Sequence, residues 1–278
     1  MMNNKKFGGD QMKKVFLALL CAVALQLGCM TGANASDFIA REDLGKHFAG
    51  YTGTFVMYDE ASDRYLVFNE PQSAQRLSPC STFKIYNSII GLETGVLDPE
   101  DVYTLMKWNG KQYPFPAWNR DQTLASATRD SVVWYFQELA ARIGSERMQA
   151  GLDKLEYGNR DISGGLTTFW LRSSLQISAL EQVDLLHRLF SGRLPVSLDN
   201  VAIVKKNITL SEDNGVRFMG KTGSRFQNDK WLLGWFVGCV EKQGKRYFFA
   251  ANIQAADGAS GGKAREITQS ILQELDIL

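Results

Sequence analysis

The sequence predicts an α/β (α+β) fold, in which an antiparallel sheet built from both ends of the chain is flanked by helices and accompanied by a mainly helical inserted region. β-Rich runs bounded by polar turns occur at 53–68 and again at 216–254, and apolar residues at helical spacing dominate between them. The 278 residues are 45% hydrophobic and 22% charged, which is ordinary for a chain with a buried core. This composition excludes collagen-like and wholly disordered proteins.

The first 35 residues have the pattern of a signal peptide (1–35). Two lysines precede an apolar run at 15–25, and Ala33-Asn34-Ala35 supplies the small-x-small pattern of a cleavage site. The run is too short for a transmembrane span. We therefore expect an exported protein, periplasmic or secreted, with no stable membrane span after cleavage. A lipoprotein site at Cys29 is the open alternative.

Charge and cysteine content exclude several kinds of partner and site. The formal net charge is +1, from 31 Lys and Arg against 30 Asp and Glu, so we expect no nucleic-acid partner. Only Cys80 and Cys239 lie beyond the predicted leader, too few for a disulfide framework, and their pairing stays open. No C-x-x-C or H-x-x-x-H spacing occurs, so we expect no metal site.

Residues 36–278 are predicted to form one domain, with its sheet part at about 36–75 and 213–278 and its helical part at about 81–192. The first two strands flank a polar turn, and the last helix is amphipathic. In chain order, the predicted elements are strands at 53–58 and 64–68, helices at 85–92, 131–142 and 178–190, strands at 216–220, 231–241 and 246–254, and a closing helix at 264–278.

The first motif that could carry chemistry is Ser81-Thr82-Phe83-Lys84, which opens a predicted helix. Ser81 and Lys84 are three residues apart and so share one helical face, where the hydroxyl and the amine can meet. A serine needs an adjacent base to act as a nucleophile, and a lysine supplies one only if its pKa is lowered. By itself this motif also fits a helix-capping serine and a solvated lysine.

Two further polar motifs follow. Ser131-Val132-Val133 heads the next strong helix and by itself also fits a helix cap. Lys221-Thr222-Gly223 follows a predicted strand, where a cation and a hydroxyl can face a substrate carboxylate and glycine permits close approach. Residues 215–222 also match the phosphate-loop pattern, but a strand rather than a helix follows, so we reject nucleotide binding.

Together these motifs form the S-x-x-K, S-x-V and K-T-G series, and the chain resembles the serine β-lactamases and penicillin-binding proteins. Within them it is similar to the class D (oxacillinase-type) β-lactamases. Val133 stands where class A enzymes have Asn, and Tyr157-Gly158-Asn159 and Phe169-Trp170-Leu171 complete the narrower resemblance. It covers essentially all of residues 36–278.

The resemblance implies roles for individual residues. Ser81 would be acylated, and Lys84, carboxylated by carbon dioxide, would be the general base, with no metal or organic cofactor. Val133 would exclude water from the lysine pocket, and the Trp170 indole would donate a hydrogen bond to the carbamate. The remaining implied site residues are Ser131 and Lys221 for proton transfer, Ser224 with Ser81 for the oxyanion hole, and Thr222, Gly223 and Arg265 for the substrate carboxylate.

The implied function is hydrolysis of β-lactam antibiotics through the Ser81 acyl-enzyme, with β-lactam small molecules as the partners and antibiotic resistance as the outcome. A penicillin-binding sensor domain or transpeptidase, acylated but not deacylated, is the alternative with the same fold. A non-catalytic binding protein would not need Ser81, Lys84, Ser131 and Lys221 together. For Tyr157 we expect a structural role, and the β-lactam spectrum and oligomeric state stay open.

Overall fold

A computed structural model describes residues 38–278, so the predicted signal peptide at 1–35 lies outside the described residues. Seven strands form a single sheet with the order β1-β3-β2-β7-β6-β5-β4. The strands are β1 (Phe38–Ala40), β2 (Thr52–Asp59), β3 (Arg64–Phe68), β4 (Thr209–Asp213), β5 (Val216–Gln227), β6 (Lys230–Lys242) and β7 (Lys245–Gln254).

The centre of the sheet joins the two ends of the chain. β2 pairs antiparallel with β7 over its whole length, with Phe55 opposite Ala251, so an early strand lies beside the last one. The predicted sheet from both termini, flanked by helices, is confirmed. The sequence analysis missed both edge strands: β1 has three residues, and β4 is largely exposed and lacks alternating apolar positions.

Nine helices are described between residues 38 and 278. They are α1 (Glu70–Ser73), α2 (Lys84–Glu93), α3 (Leu124–Arg129), α4 (Val133–Ile143), α5 (Ser145–Leu155), α6 (Phe169–Arg172), α7 (Ala179–Phe190), α8 (Leu198–Ile208) and α9 (Gly261–Glu274). Short 3-10 segments cover Glu42–Phe48, Cys80–Phe83, Asp101–Thr104 and Pro116–Trp118. Because α8 follows α7, the helical part extends to Ile208, beyond the predicted limit of about 192.

α7 shows how local sequence sets a helix boundary. The Ser178 side chain accepts a hydrogen bond from the backbone N–H of Glu181, whose carboxylate accepts one from the Ser178 N–H. This reciprocal cap satisfies two donors that the first turn would otherwise leave unpaired. The helix predicted at 178–190 therefore begins one residue later, at Ala179, with Ser178 as its cap.

The sheet separates two hydrophobic cores. Side chains of β6 alternate between them: Trp235 and Val237 face the helical part, whereas Phe236 faces α9. All three are fully buried. Burying a side chain of this size stabilises the fold by about 1.5–3 kcal/mol, so both layers depend on β6.

One edge of the sheet is only partly covered. β4 pairs with β5 between Val216 and Met219, and the rest of β5, residues 220–227, pairs only with β6 among residues 38–278. The uncovered stretch contains Lys221-Thr222-Gly223. Its free backbone edge faces the space between the sheet and the helical part.

Cys80 and Cys239 are both buried free thiols, so they do not pair. No helix within residues 38–278 combines the length and the apolar character that crossing a membrane requires.

Candidate active site

Ser81 lies in a tight turn between the sheet and α2. The sequence analysis expected a helix start here, and the structure divides it into the 3-10 segment Cys80–Phe83 followed by α2 at Lys84. Cys80 has a φ of 51°, a left-handed conformation that costs a non-glycine residue about 1–2 kcal/mol. Its thiol donates to the Leu171 carbonyl at 3.2 Å, which helps to hold the turn.

Close packing against β5 also holds this turn. A side chain at Gly223 would bring its Cβ to 2.8 Å from the Pro79 carbonyl oxygen, so only glycine permits this approach. The Trp235 indole on β6 donates to the Ser78 carbonyl at 3.0 Å. The turn that contains Ser81 therefore packs closely against β5, the strand that contains Lys221.

Lys84 lies beneath Ser81 and is fully buried. Its Nζ lies 3.1 Å from Ser81 Oγ, and it donates to the Ser131 carbonyl oxygen at 2.6 Å and to Ser131 Oγ at 3.0 Å. Burial, reinforced by the nearby Lys221 charge, holds the pKa of Lys84 well below its ordinary value. The neutral amine is therefore favoured, and it has a lone pair that can accept a proton.

Ser131 connects the two lysines. Its Oγ accepts hydrogen bonds from Lys84 and from Lys221, each at 3.0 Å. It is not a helix cap, because α4 begins at Val133 after Val132, and Ser131 itself has a φ of 54°. A hydroxyl that accepts two hydrogen bonds still has its own hydrogen to donate. Ser131 can therefore pass a proton to a third group.

Lys221 completes the cluster from β5. It is 5% exposed, and burial lowers its pKa to about 8. Besides Ser131, its Nζ donates to the Thr222 carbonyl oxygen at 3.1 Å. Among residues 38–278 no carboxylate forms an ion pair with either lysine, so neither charge is compensated by a neighbouring acid.

A cleft of about 650 Å³ opens above this cluster. Ser81, Ser131, Val133, Thr222 and Ser224 all line it directly. Its apolar and aromatic wall consists of Pro114, Phe115, Trp118, Leu171, Phe226 and Trp231. A small molecule in the cleft would therefore meet the Ser81 hydroxyl at one wall and hydrophobic surface at the other.

Trp170 lies behind the cleft and is fully buried. Its ring packs against Phe83 with centroids 5.7 Å apart, and its indole Nε1 has no acceptor among residues 38–278. An unpaired buried donor costs about 1–3 kcal/mol. Such a donor fits a site that receives an acceptor in its working state.

Arg265 is not part of the main cleft. It lies with Lys221, Thr222 and Phe236 around a separate pocket of about 110 Å³. Its guanidinium carbon is 6.0 Å from the centre of the Phe236 ring, on the α9 side of β5. Thr222 lines both pockets, so it connects Arg265 to the cleft, and a carboxylate contact for Arg265 stays a prediction.

Two arginines in the cleft wall, Arg172 and Arg225, were missed by the sequence analysis. Arg225 had a detectable signal, because residues two apart on a strand face the same side and Gly223 was already singled out. Arg172 had no such signal, since its position depends on how α6 packs.

Tyr157 is fully buried and lies edge-on to Phe83 and Tyr86. Burial raises its pKa well above the ordinary tyrosine value, so it is not a base at neutral pH. Asn159, next in the same motif, accepts from the Gln176 N–H and donates to the Ser174 carbonyl. These residues organise the loop that precedes α7.

No three His, Cys, Asp or Glu side chains within residues 38–278 are grouped so as to hold a metal ion. The reactive groups that the geometry brings together are the Ser81 hydroxyl, the two lysines and Ser131.

Comparison with known proteins identifies the family of the chain. Residues 53–273 match the family described as penicillin binding protein transpeptidase domain. The chain is 40% identical over 240 residues to the probable β-lactamase YbxI of Bacillus subtilis, covering 86% of this chain and 87% of that protein. It is also 39% identical over 237 residues to the methicillin resistance mecR1 protein of Staphylococcus aureus, covering 84% of this chain but only 40% of the relative's length.

Among solved structures, the C-terminal domain of the Bacillus licheniformis BlaR penicillin-receptor superposes with a TM-score of 0.83 at 35% identity. That match covers 89% of this chain and all of the receptor domain. A class D β-lactamase from Bacillus subtilis gives a TM-score of 0.80 at 40% identity, covering 89% of this chain and 99% of the other. The chain therefore belongs to the penicillin binding protein transpeptidase domain family, within the penicillin-recognising group that includes the class D β-lactamases.

Proposed function

We propose that the protein is a class D β-lactamase that hydrolyses β-lactams through an acyl-enzyme on Ser81. The observation that carries the proposal is the hydrogen-bonded series from Ser81 through Lys84 and Ser131 to Lys221 at the floor of the cleft. A binding protein would have no use for a buried lysine held neutral beside a serine hydroxyl.

Acylation begins when Ser81 Oγ attacks the lactam carbonyl carbon and its proton passes to the base at Lys84. The backbone N–H groups of Ser81 and Ser224 stabilise the oxyanion, with Ser224 lying on the free edge of β5. The C–N bond of the lactam then breaks. Its nitrogen takes the hydroxyl proton of Ser131, which Lys221 replaces. The proton held at Lys84 then passes through Ser131 to Lys221, so the base is free for the second step.

Deacylation requires an activated water. The base at Lys84 takes a proton from the water, whose oxygen bonds to the acyl carbon. The bond to Ser81 Oγ then breaks, and Ser81 takes that proton from the base. The base must lie on the buried side of the cleft, where Lys84 and Val133 meet the acyl group. The aromatic wall and Val133 limit the access of other water to this side.

Two observations fit carboxylation of Lys84. The low pKa of the lysine supplies the neutral amine that carbon dioxide needs, and Trp170 Nε1 is a buried donor with no other acceptor described. When present, the carbamate supplies an anionic general base. Lys84 would hold the group, and Trp170 would orient it.

The second candidate function is a penicillin sensor that is acylated and not hydrolysed. The similarity to mecR1 and to the BlaR receptor domain favours it. The two functions share the acylation machinery and differ in the fate of the adduct.

A time course with benzylpenicillin in bicarbonate buffer separates the two candidates. Lactam absorbance reports turnover, and intact mass reports the adduct on Ser81. We expect many turnovers with a transient adduct, and a rate that rises with bicarbonate. One burst with a persistent adduct would instead establish the sensor, and Ser81→Ala should abolish the adduct in either case.

We propose that residues 1–35 direct export of the protein. Expression in a bacterium with a periplasm, followed by N-terminal sequencing of the periplasmic product, tests this. A mature product beginning at Ser36 is expected, and an uncleaved product in the cytoplasm would contradict export.

A further inference from the structure

Arg225 faces the nucleophile turn. Along β5, Met219 packs in the core of the helical part and Phe218 in the core beneath α9, so alternate residues face opposite sides of the sheet. Lys221, Gly223 and Arg225 follow Met219 on its side. The Arg225 charge acts on the Cys80 thiol, where it opposes the effect of burial, which raises the thiol pKa to about 12.

The hydrogen bonds of Arg225 are incomplete. Its Nη2 donates to the Gln227 side chain at 2.9 Å, while its Nε is buried and has no acceptor among residues 38–278. No carboxylate lies within ion-pair distance of it in that range. A guanidinium offers five donors in a planar fork that matches a carboxylate, so this side chain has unused capacity for an anion.

The carboxylate that lines this cleft, Asp130, already has arginine partners. Asp130 lines the same cleft, and its carboxylate pairs with Arg120 at 3.0 Å and with Arg129 at 3.2 Å. Arg172, the last residue of α6, is exposed at the cleft wall and also has no ion-pair partner among residues 38–278. Two arginines from different elements therefore line the cleft, and neither has a carboxylate partner among residues 38–278.

The spacing on β5 indicates which part of a substrate would reach Arg225. Thr222, at the end expected to hold the ring carboxylate, lies three residues before it, or about 10 Å along an extended strand. β-Lactams carry the ring carboxylate and the acylamino side chain on opposite sides of the nucleus. The side chain of the substrate would therefore extend toward Arg225.

We propose that Arg225, assisted by Arg172, forms an anion-binding subsite that favours β-lactams with a second negative charge on the acylamino side chain. The inference rests on the proposed function, because it assumes that Ser81 is acylated by β-lactams. It assigns to Arg225 a substrate-binding role distinct from that of Thr222.

Carbenicillin and benzylpenicillin form a matched pair of probes, since they differ by one carboxylate on the acyl side chain. The second-order rate constant for acylation of Ser81, followed by intact mass at low salt, is measured for both. In Arg225→Gln we expect the ratio of the acylation rate constant for carbenicillin to that for benzylpenicillin to fall about tenfold, as for loss of one charged hydrogen-bond partner. Arg225→Lys should recover part of the ratio, and Arg172→Gln should lower it less because Arg172 is exposed.

Arg64→Gln is the matched control, since it removes one exposed arginine from β3, four strands away from β5, and should leave the ratio unchanged. Thermal unfolding of each variant checks its fold. If Arg225→Gln does not fold, Arg172→Gln and the decline of the wild-type ratio with added salt test the subsite. Benzylpenicillin acylation with an unchanged ratio in Arg225→Gln and Arg172→Gln would overturn the subsite alone, whereas no adduct with either penicillin would overturn the proposed function.

Discussion

The face of the sheet that packs against the helical part buries two lysines and several amides and hydroxyls, whereas the face that packs against α9 buries mainly hydrocarbon. Lys84, Asn87, Gln182 and Lys221 belong to the first set. On the α9 side, the fully buried Thr268 donates to the Ala264 carbonyl of its own helix. Buried polar groups are costly unless they are paired. Their concentration on one side indicates that this side serves reaction and the other serves stability.

The largest test of this division is Lys84→Ala. Because Lys84 is the proposed base for both steps, acylation and deacylation should each fall by about a thousandfold or more. Single-turnover and steady-state assays measure the two steps separately. Normal turnover in this variant would remove Lys84 from the mechanism.

Lys84→Met keeps most of the side-chain volume and should be as inactive as Lys84→Ala. Its free energy of unfolding should equal or exceed that of the wild type, because an uncompensated buried amine is removed. A large destabilisation would show that Lys84 contributes to the fold as well as to the chemistry.

Trp170→Phe tests a single buried donor on the side of the sheet that packs against the helical part. It removes the unpaired indole donor and keeps an aromatic ring, so turnover should fall about 10–100-fold and its dependence on bicarbonate should change. Thermal unfolding should change little, since the lost donor has no acceptor among the described residues. Unchanged kinetics would show that Trp170 is only a packing residue.

Ile271→Ala tests the apolar side. Ile271 is fully buried in α9, so its truncation should lower the free energy of unfolding by about 2–5 kcal/mol. At temperatures where the variant is folded, kcat should stay near the wild-type value. A selective loss of kcat would show that α9 also controls the site.

The pKa of Lys221 predicts opposite effects of pH on activity and stability. Above about pH 8 Lys221 loses the proton that it is proposed to supply to Ser131, so kcat/KM should decline. Stability should instead rise between about pH 8 and 10.5 from this group, because the unfolded lysine still binds a proton that the folded one has released. Lys221→Met should abolish this component of the stability profile, and a profile identical to that of the wild type would contradict it.

The smallest expected effect belongs to Cys80→Ala. The thiol is buried and its pKa is raised to about 12, so it is not a nucleophile at neutral pH. Loss of its hydrogen bond to Leu171 should slow hydrolysis by about threefold at most. Loss of hydrolysis with Ser81 intact would require a different nucleophile.

Much of the fold could be predicted from local patterns, and its least regular parts could not. The hairpin at 53–68 consists of two β-rich runs around a polar turn, and Ser178 with Glu181 marks the start of α7. The edge strand β4 has the sequence Thr-Leu-Ser-Glu-Asp, which has no alternation of apolar and polar residues; its place in the sheet comes from pairing with β5. Its pairing is a tertiary contact.

By itself, the sequence determined which reactive groups are available and how neighbouring ones are spaced. The three-residue interval between Ser81 and Lys84 suffices to place a hydroxyl beside an amine in a helical turn. The three motifs in order identified the family because each keeps its residue types.

Only the tertiary structure decided how these groups behave. Ser131 and Lys221 are 90 residues apart in the chain and meet because α4 and β5 pack around one cleft. The pKa values of Lys84 and Lys221 are low because packing removes both amines from water. Arg225 lines the main cleft and Arg265 lines the separate pocket because they lie on different faces of β5. Burial and long-range contact depend on the whole fold, so local sequence cannot specify them.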